Sequence, residues 1–180
     1  MSPTSDPLAA HVVENVLPRH WNTCGQAAVA TVLRHRNAGP WALDARTTDE
    51  AALDAIVRRF PPDVPFSLGT SAFRMVSALR GHGVGAELAH GGLFAHRGPR
   101  VRERVMATLA RGELVPVCVD DGRLGGAPFS AHWAVVFAAG EDGVRLGNCR
   151  VARLDWDAFW RAWSCPQLPW SHNACAILPL

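Results

Sequence analysis

The chain contains no lysine and no tyrosine; all 18 of its basic side chains are arginine. These arginines form no block, and they sum with the acids to a formal charge of only +2 over 180 residues. The electrostatic footprint of a nucleic-acid-binding protein is therefore missing. No apolar run reaches the roughly 20 residues that a bilayer-crossing helix requires. The opening MSPTSDPLAAHVVENVLPRH lacks the basic start and apolar centre of a secretory signal. The five cysteines (Cys24, Cys118, Cys149, Cys165, Cys175) are odd in number and show no CxxC spacing, which speaks against a disulfide framework and a zinc ribbon. These absences set the expectation of a reduced, cytoplasmic protein with no membrane span, no resident metal and no cofactor. Arginine used to the exclusion of lysine, beside abundant Ala, Gly and Pro, looks like the codon bias of a GC-rich bacterial genome.

What is present is a globular composition, 48% apolar and 19% charged, in a length that suits one domain with a real core. We read 1–180 as that domain: an extended lead-in over 1–16, a helical half over 17–112 and a sheet half over 113–180. The run CGQAAVATVLRHR, from Cys24, favours helix, and Asn37-Ala-Gly-Pro40 supplies its stop. Leu53, Ile56, Val57 and Phe60 recur at helical spacing and predict a helix over 48–60, ended by Pro61-Pro62. Further helices are expected over about 71–80 and 100–111. After Gly112 the period changes. LVPVCVD, HWAVVFAA and VRLGN read as strands, the last two joined through GEDG as a hairpin. NACAILPL reads as a final strand. Asp155 caps an intervening helix with Trp156, Phe159, Trp160 and Trp163 on one face, and Leu154 is placed to staple onto Phe159. Helices first and an antiparallel sheet second predict an α+β fold.

Three residues suggest chemistry. Cys24 stands at the first turn of a helix, where backbone N–H groups and the helix dipole favour an anion. His132 opens a strand after the loop DGRLGGAPFSA, and Asn148 ends the next strand of the same hairpin. A thiolate needs a base beside it, and the base needs a third group to fix its ring. Each residue also has a plainer reading. Cysteine is often simply buried, a histidine opening a strand is often structural, and Asn after Gly is a common turn residue.

Over residues 17–180 the chain resembles the papain-like cysteine peptidases of the bacteriocin-processing type, which remove double-glycine leader peptides. TCGQAAVATVL resembles their nucleophile helix, LGTSAFRMVSALRGHG their helix ending in a glycine-rich turn, and LARGELVPVCVD their helix-to-strand passage. HWAVVFAAGEDGVRLGN resembles the strand pair that carries their histidine and third catalytic residue, and WDAFWRAW the helix that follows. The resemblance implies a papain-like fold and a Cys24–His132–Asn148 triad. The family's third residue is Asp followed by Pro; here it is Asn148 followed by Cys149. Its oxyanion-donating glutamine, six positions before the cysteine, falls on Pro18, which leaves His20, Asn22 and Gln26 as candidates for that role. Trp21 and Trp133 are candidates for lining a substrate cleft, or for packing in the core.

The expected activity is cleavage or transfer of the acyl group of a peptide amide or a thioester, in the maturation of a peptide or of a carrier-bound natural product. The alternative is a catalytically idle papain-like module that binds a peptide or leader sequence. The partner in either case is a peptide or a carrier-bound acyl substrate, and the oligomeric state is not readable. Weaker features complete the reading. His82, His90 and His96 lack metal-finger spacing, and VRERVMATLARG reads as a solvated helix face.

Overall fold

In the computed structural model, residues 7–14, 22–43, 46–64, 69–92, 98–128, 130–164 and 173–180 are described. Six α-helices lie among them: α1 (Cys24–His35), α2 (Pro40–Leu43), α3 (Asp49–Arg59), α4 (Ala72–Gly81), α5 (Gly98–Ala110) and α6 (Trp156–Trp163). The strands are β1 (Ala86–Ala89), β2 (Val115–Asp120), β3 (Ala131–Gly140), β4 (Gly143–Gly147), β5 (Arg153–Leu154) and β6 (Ala176–Pro179), with 3-10 turns at Pro7–His11 and Asp121–Leu124.

Side-chain chemistry sets the helix starts. The Thr48 hydroxyl accepts from Ala51 N–H at 3.3 Å, the Ser71 hydroxyl from Arg74 N–H at 3.2 Å, and the Asp155 carboxylate from Ala158 N–H at 2.7 Å. Each satisfies a donor that helix geometry leaves without an intrahelical acceptor. Leu154 and Phe159 share one apolar cluster, as a staple across that third cap requires. Helix α1 differs from the others. Every residue from Cys24 to Leu33 is buried, and its small side chains let neighbours close in around it. At Gly25 a Cβ would lie 2.7 Å from Thr70 Cβ, so only glycine permits that approach.

The sheet has the order β1-β6-β2-β3-β4-β5, and every paired neighbour is antiparallel. Strand alternation divides the core between its two faces. Cys118, Trp133, Val135 and Ile177 join the apolar residues of α1, α3 and α4 on one face. Val117, Val119, Ala134, Val136 and Leu178 join those of α5 and α6 on the other. Along α6, Phe159 stacks on Trp163 with ring centroids 5.2 Å apart, so this aromatic face belongs to the core.

The structure departs from the sequence reading in four places. The lead-in is not wholly extended, because Pro7–His11 forms a 3-10 turn. Pro40 does more than stop α1: it opens α2, since a proline at the first helical position gives up no intrahelical hydrogen bond. Strand β1 lies within the segment read as helical and pairs along β6 at the sheet edge. The short β5 beside β4 was also not anticipated.

Candidate active site

Helix α1 meets β3 and the end of β4 at Cys24. Thr23 precedes it as N-cap without a side-chain capping bond. Cys24 is 9% exposed. Burial, the largest single influence, pushes its thiol up in pKa. A side-chain hydrogen bond and the charge of His132, together with the Trp133 and Gly25 N–H groups, outweigh burial and hold the thiol below its ordinary value. The partner moves the opposite way. Burial pushes the His132 imidazole down, but the hydrogen bond and charge of Cys24, the Asn148 carbonyl and the Asp121 carboxylate raise it to about 9. Each of the two adjoining groups thus favours the charged form of the other.

The ring is oriented by the main chain. His132 Nε2 donates to the backbone carbonyl of Asn148. A carbonyl can only accept, so Nε2 carries a proton. Asn148 is 3% exposed and adopts a φ of 50°, a left-handed conformation that asparagine tolerates better than most side chains. Its Nδ2 donates to the carbonyls of Trp133 at 2.9 Å and Cys24 at 3.2 Å. That carboxamide ties helix α1 to β3, while the imidazole contact goes through the Asn148 main chain.

The other candidates separate. Gln26 is committed elsewhere, which corrects its place among the oxyanion candidates. Its Nε2 donates to Phe60 O at 2.9 Å and its Oε1 accepts from the Thr70 hydroxyl at 2.8 Å. Two residues along the helix turn it toward the loops flanking α3 and α4. Trp133 is 1% exposed, and its indole N–H donates to Thr70 O at 2.8 Å, so it packs in the core rather than lining a cleft. Asn22 sits just before the helix with a φ of 61°. His20, Trp21 and Pro18 lie outside the described residues, as does His96. Among the described residues, no three His, Cys, Asp or Glu side chains gather so as to hold a metal ion, and no helix is long and apolar enough to cross a membrane.

Two acids escaped the sequence reading. Asp121 begins a turn in which its carboxylate accepts from Ala127 N–H at 3.2 Å and its own N–H donates to Ser130 O at 2.8 Å. That turn seats its charge near His132. Glu14 accepts the Asn148 N–H on Oε1 at 3.1 Å. Neither position carries a spacing that could have marked it; Glu14 lies 134 residues before its partner.

A cysteine at the start of a buried helix, facing a histidine on an antiparallel sheet, places the molecule among papain-like α+β folds. The structure is similar to the crystal structure of a double glycine motif protease from an AMS/PCAT transporter in complex with the leader peptide, with a TM-score of 0.54 and 11% sequence identity. The match covers 93% of this chain and 89% of that one. At this identity the likeness is one of fold. No protein-family model and no curated protein sequence matches the chain.

Proposed function

We propose that the protein is a papain-like thiol enzyme acting on the acyl group of a peptide amide or thioester. The observation that carries this reading is Cys24 at the start of α1 beside His132, whose ring is held by the Asn148 carbonyl; there the thiol is pushed down and the imidazole up to about 9. The Cys24 thiolate adds to the carbonyl carbon. The tetrahedral intermediate then expels an amine or thiol that takes its proton from imidazolium His132. Water, deprotonated by the now neutral His132, attacks the acyl-thioester and returns the enzyme with an acid product. An amine or hydroxyl acceptor in place of water makes the same chain a transferase or cyclase. Asn148 holds the imidazole through its carbonyl. The Cys24 N–H, with Asn22 or His20, receives the oxyanion, a contribution worth about 10²–10³ in rate.

A peptide bearing a double-glycine leader is the substrate class that the neighbour's complex suggests, with a role in peptide or natural-product maturation in a bacterial cytoplasm. The test is selective alkylation by iodoacetamide at pH 6. Cys24 reacts there ahead of the other cysteines, and Cys24→Ala abolishes turnover of a leader-bearing peptide. A Cys24 no faster than the remaining thiols defeats the reading. The second reading, an idle peptide-binding module, is favoured by the 9% exposure of Cys24 and by proline at the family's oxyanion-donor position. Tight peptide binding by a chain whose Cys24 alkylates slowly supports it.

A further inference from the structure

The N-terminal segment forms a strap between α1 and β4 that reaches the candidate site at Glu14. Val13 is buried, and its N–H donates to the Thr31 hydroxyl of α1 at 2.9 Å. The Val12 carbonyl accepts from Arg34 at 3.4 Å. Gly147, the last residue of β4, makes room for this crossing: a Cβ there would lie 2.5 and 2.6 Å from the two Val12 methyl carbons. The strap thus touches α1 on one side and β4 on the other. Its next residue, Glu14, then takes the Asn148 N–H.

Asn148 is the joint that this contact secures. Its carbonyl receives His132 Nε2, its carboxamide reaches Cys24 O and Trp133 O, and its backbone is left-handed. A left-handed backbone is unfavourable for most side chains and better tolerated by asparagine, and it persists where several contacts fix it. Relaxing its backbone would swing the carbonyl away from the imidazole. Resting on the thiol-enzyme reading above, we infer that Glu14 is a positioning residue of the centre: by accepting the Asn148 N–H it holds in place the carbonyl that aims His132 at Cys24.

The test must separate this hydrogen bond from a general effect of charge. Cys24 and the Asp121 carboxylate act on the imidazole, and Glu14 and Asp121 both act on the neighbouring Cys149. Glu14→Gln keeps an acceptor at the same reach and removes the charge, whereas Glu14→Ala removes both. The measurement is the pH profile of Cys24 alkylation in the full chain, read by mass spectrometry of the Cys24 peptide. Glu14→Ala is expected to move the acid limb up by about one pH unit, which is roughly tenfold slower reaction below that limb. Glu14→Gln is expected to keep the wild-type profile. An Ala profile superimposable on wild type overturns the inference, even if the melting temperature falls, and so does a Gln variant as impaired as the Ala variant. Should Glu14→Ala fail to fold, Glu14→Asp, one methylene shorter with its charge intact, is expected to show the same upward shift, and an unmoved limb in that variant also overturns the inference. A wild-type Cys24 that behaves as an ordinary thiol removes the thiol-enzyme reading itself. An acid-reactive Cys24 indifferent to residue 14 removes only this inference.

Discussion

Cys24, buried, gives its carbonyl to Asn148, and Cys149, half-buried, follows Asn148 in the chain, yet their thiols are shifted in opposite directions. At Cys149 burial dominates and the Asp121 and Glu14 carboxylates add to it, so the thiol is raised. At Cys24 burial acts in the same sense but is outweighed by His132 and two backbone N–H groups. Burial alone makes an inert thiol. A nucleophile requires a cation and donors fixed against the sulfur before substrate arrives.

The sharpest way to break the comparison is to remove one member. Cys24→Ala should abolish turnover of a leader-bearing peptide and all alkylation at that site, while Cys149→Ser leaves turnover near wild type; the reverse pattern would exchange their roles. Next in size is His132→Ala. Without its cation the Cys24 thiol should rise to or above the ordinary thiol range, since burial then acts unopposed by His132, and alkylation at pH 6 should slow by roughly 10²-fold. Iodoacetamide kinetics on the intact protein measure this.

The pH dependence follows from the same two shifts. The reaction needs Cys24 ionised and His132 protonated. Activity should therefore be lost as pH falls through the depressed thiol value, and lost again as pH rises through about 9, where the imidazolium gives up the proton destined for the leaving group. A kcat/KM profile without the alkaline limb would contradict the pairing.

Smaller effects distinguish the two buried carboxamides. Asn148→Gly accepts the left-handed backbone but removes the carboxamide that bridges Cys24 O and Trp133 O. It should cost about 1–3 kcal/mol in a denaturant titration and slow alkylation less than His132→Ala does. Gln26→Ala should lower stability by a similar amount, about 1–3 kcal/mol, because the Thr70 hydroxyl and Phe60 carbonyl lose their partner. It should leave the alkylation profile of Cys24 unchanged, since Gln26 makes both bonds away from the thiol.

Much of the local structure was legible in the residues. Asp155 announced its helix because a cap acts within one turn, and the spacing of Leu53, Ile56, Val57 and Phe60 announced another because one helix face repeats every three to four residues. The β-rich runs HWAVVF and VRLGN marked the hairpin because the short turn GEDG joins them. β1 was not legible. Its AELA is short and carries no strong strand preference, and it becomes a strand only because β6, some ninety residues later, offers it an edge. Gln26 was misplaced, and Trp133 left open between cleft and core, for the same kind of reason: proximity in sequence to Cys24 or His132 does not fix the direction in which a side chain points.

The sequence by itself determined the small-residue helix led by Cys24, the hairpin that carries His132 and Asn148, and the α+β order of elements. These depend on propensity, capping and periodicity, which act over a few residues. Only the tertiary structure decided that His132 is held by the Asn148 main chain, that the Asn148 carboxamide ties α1 to β3, and that Glu14 secures Asn148 from the far end of the chain. Such contacts depend on which surfaces the packed core brings within hydrogen-bond reach, and no local pattern in the sequence encodes that distance.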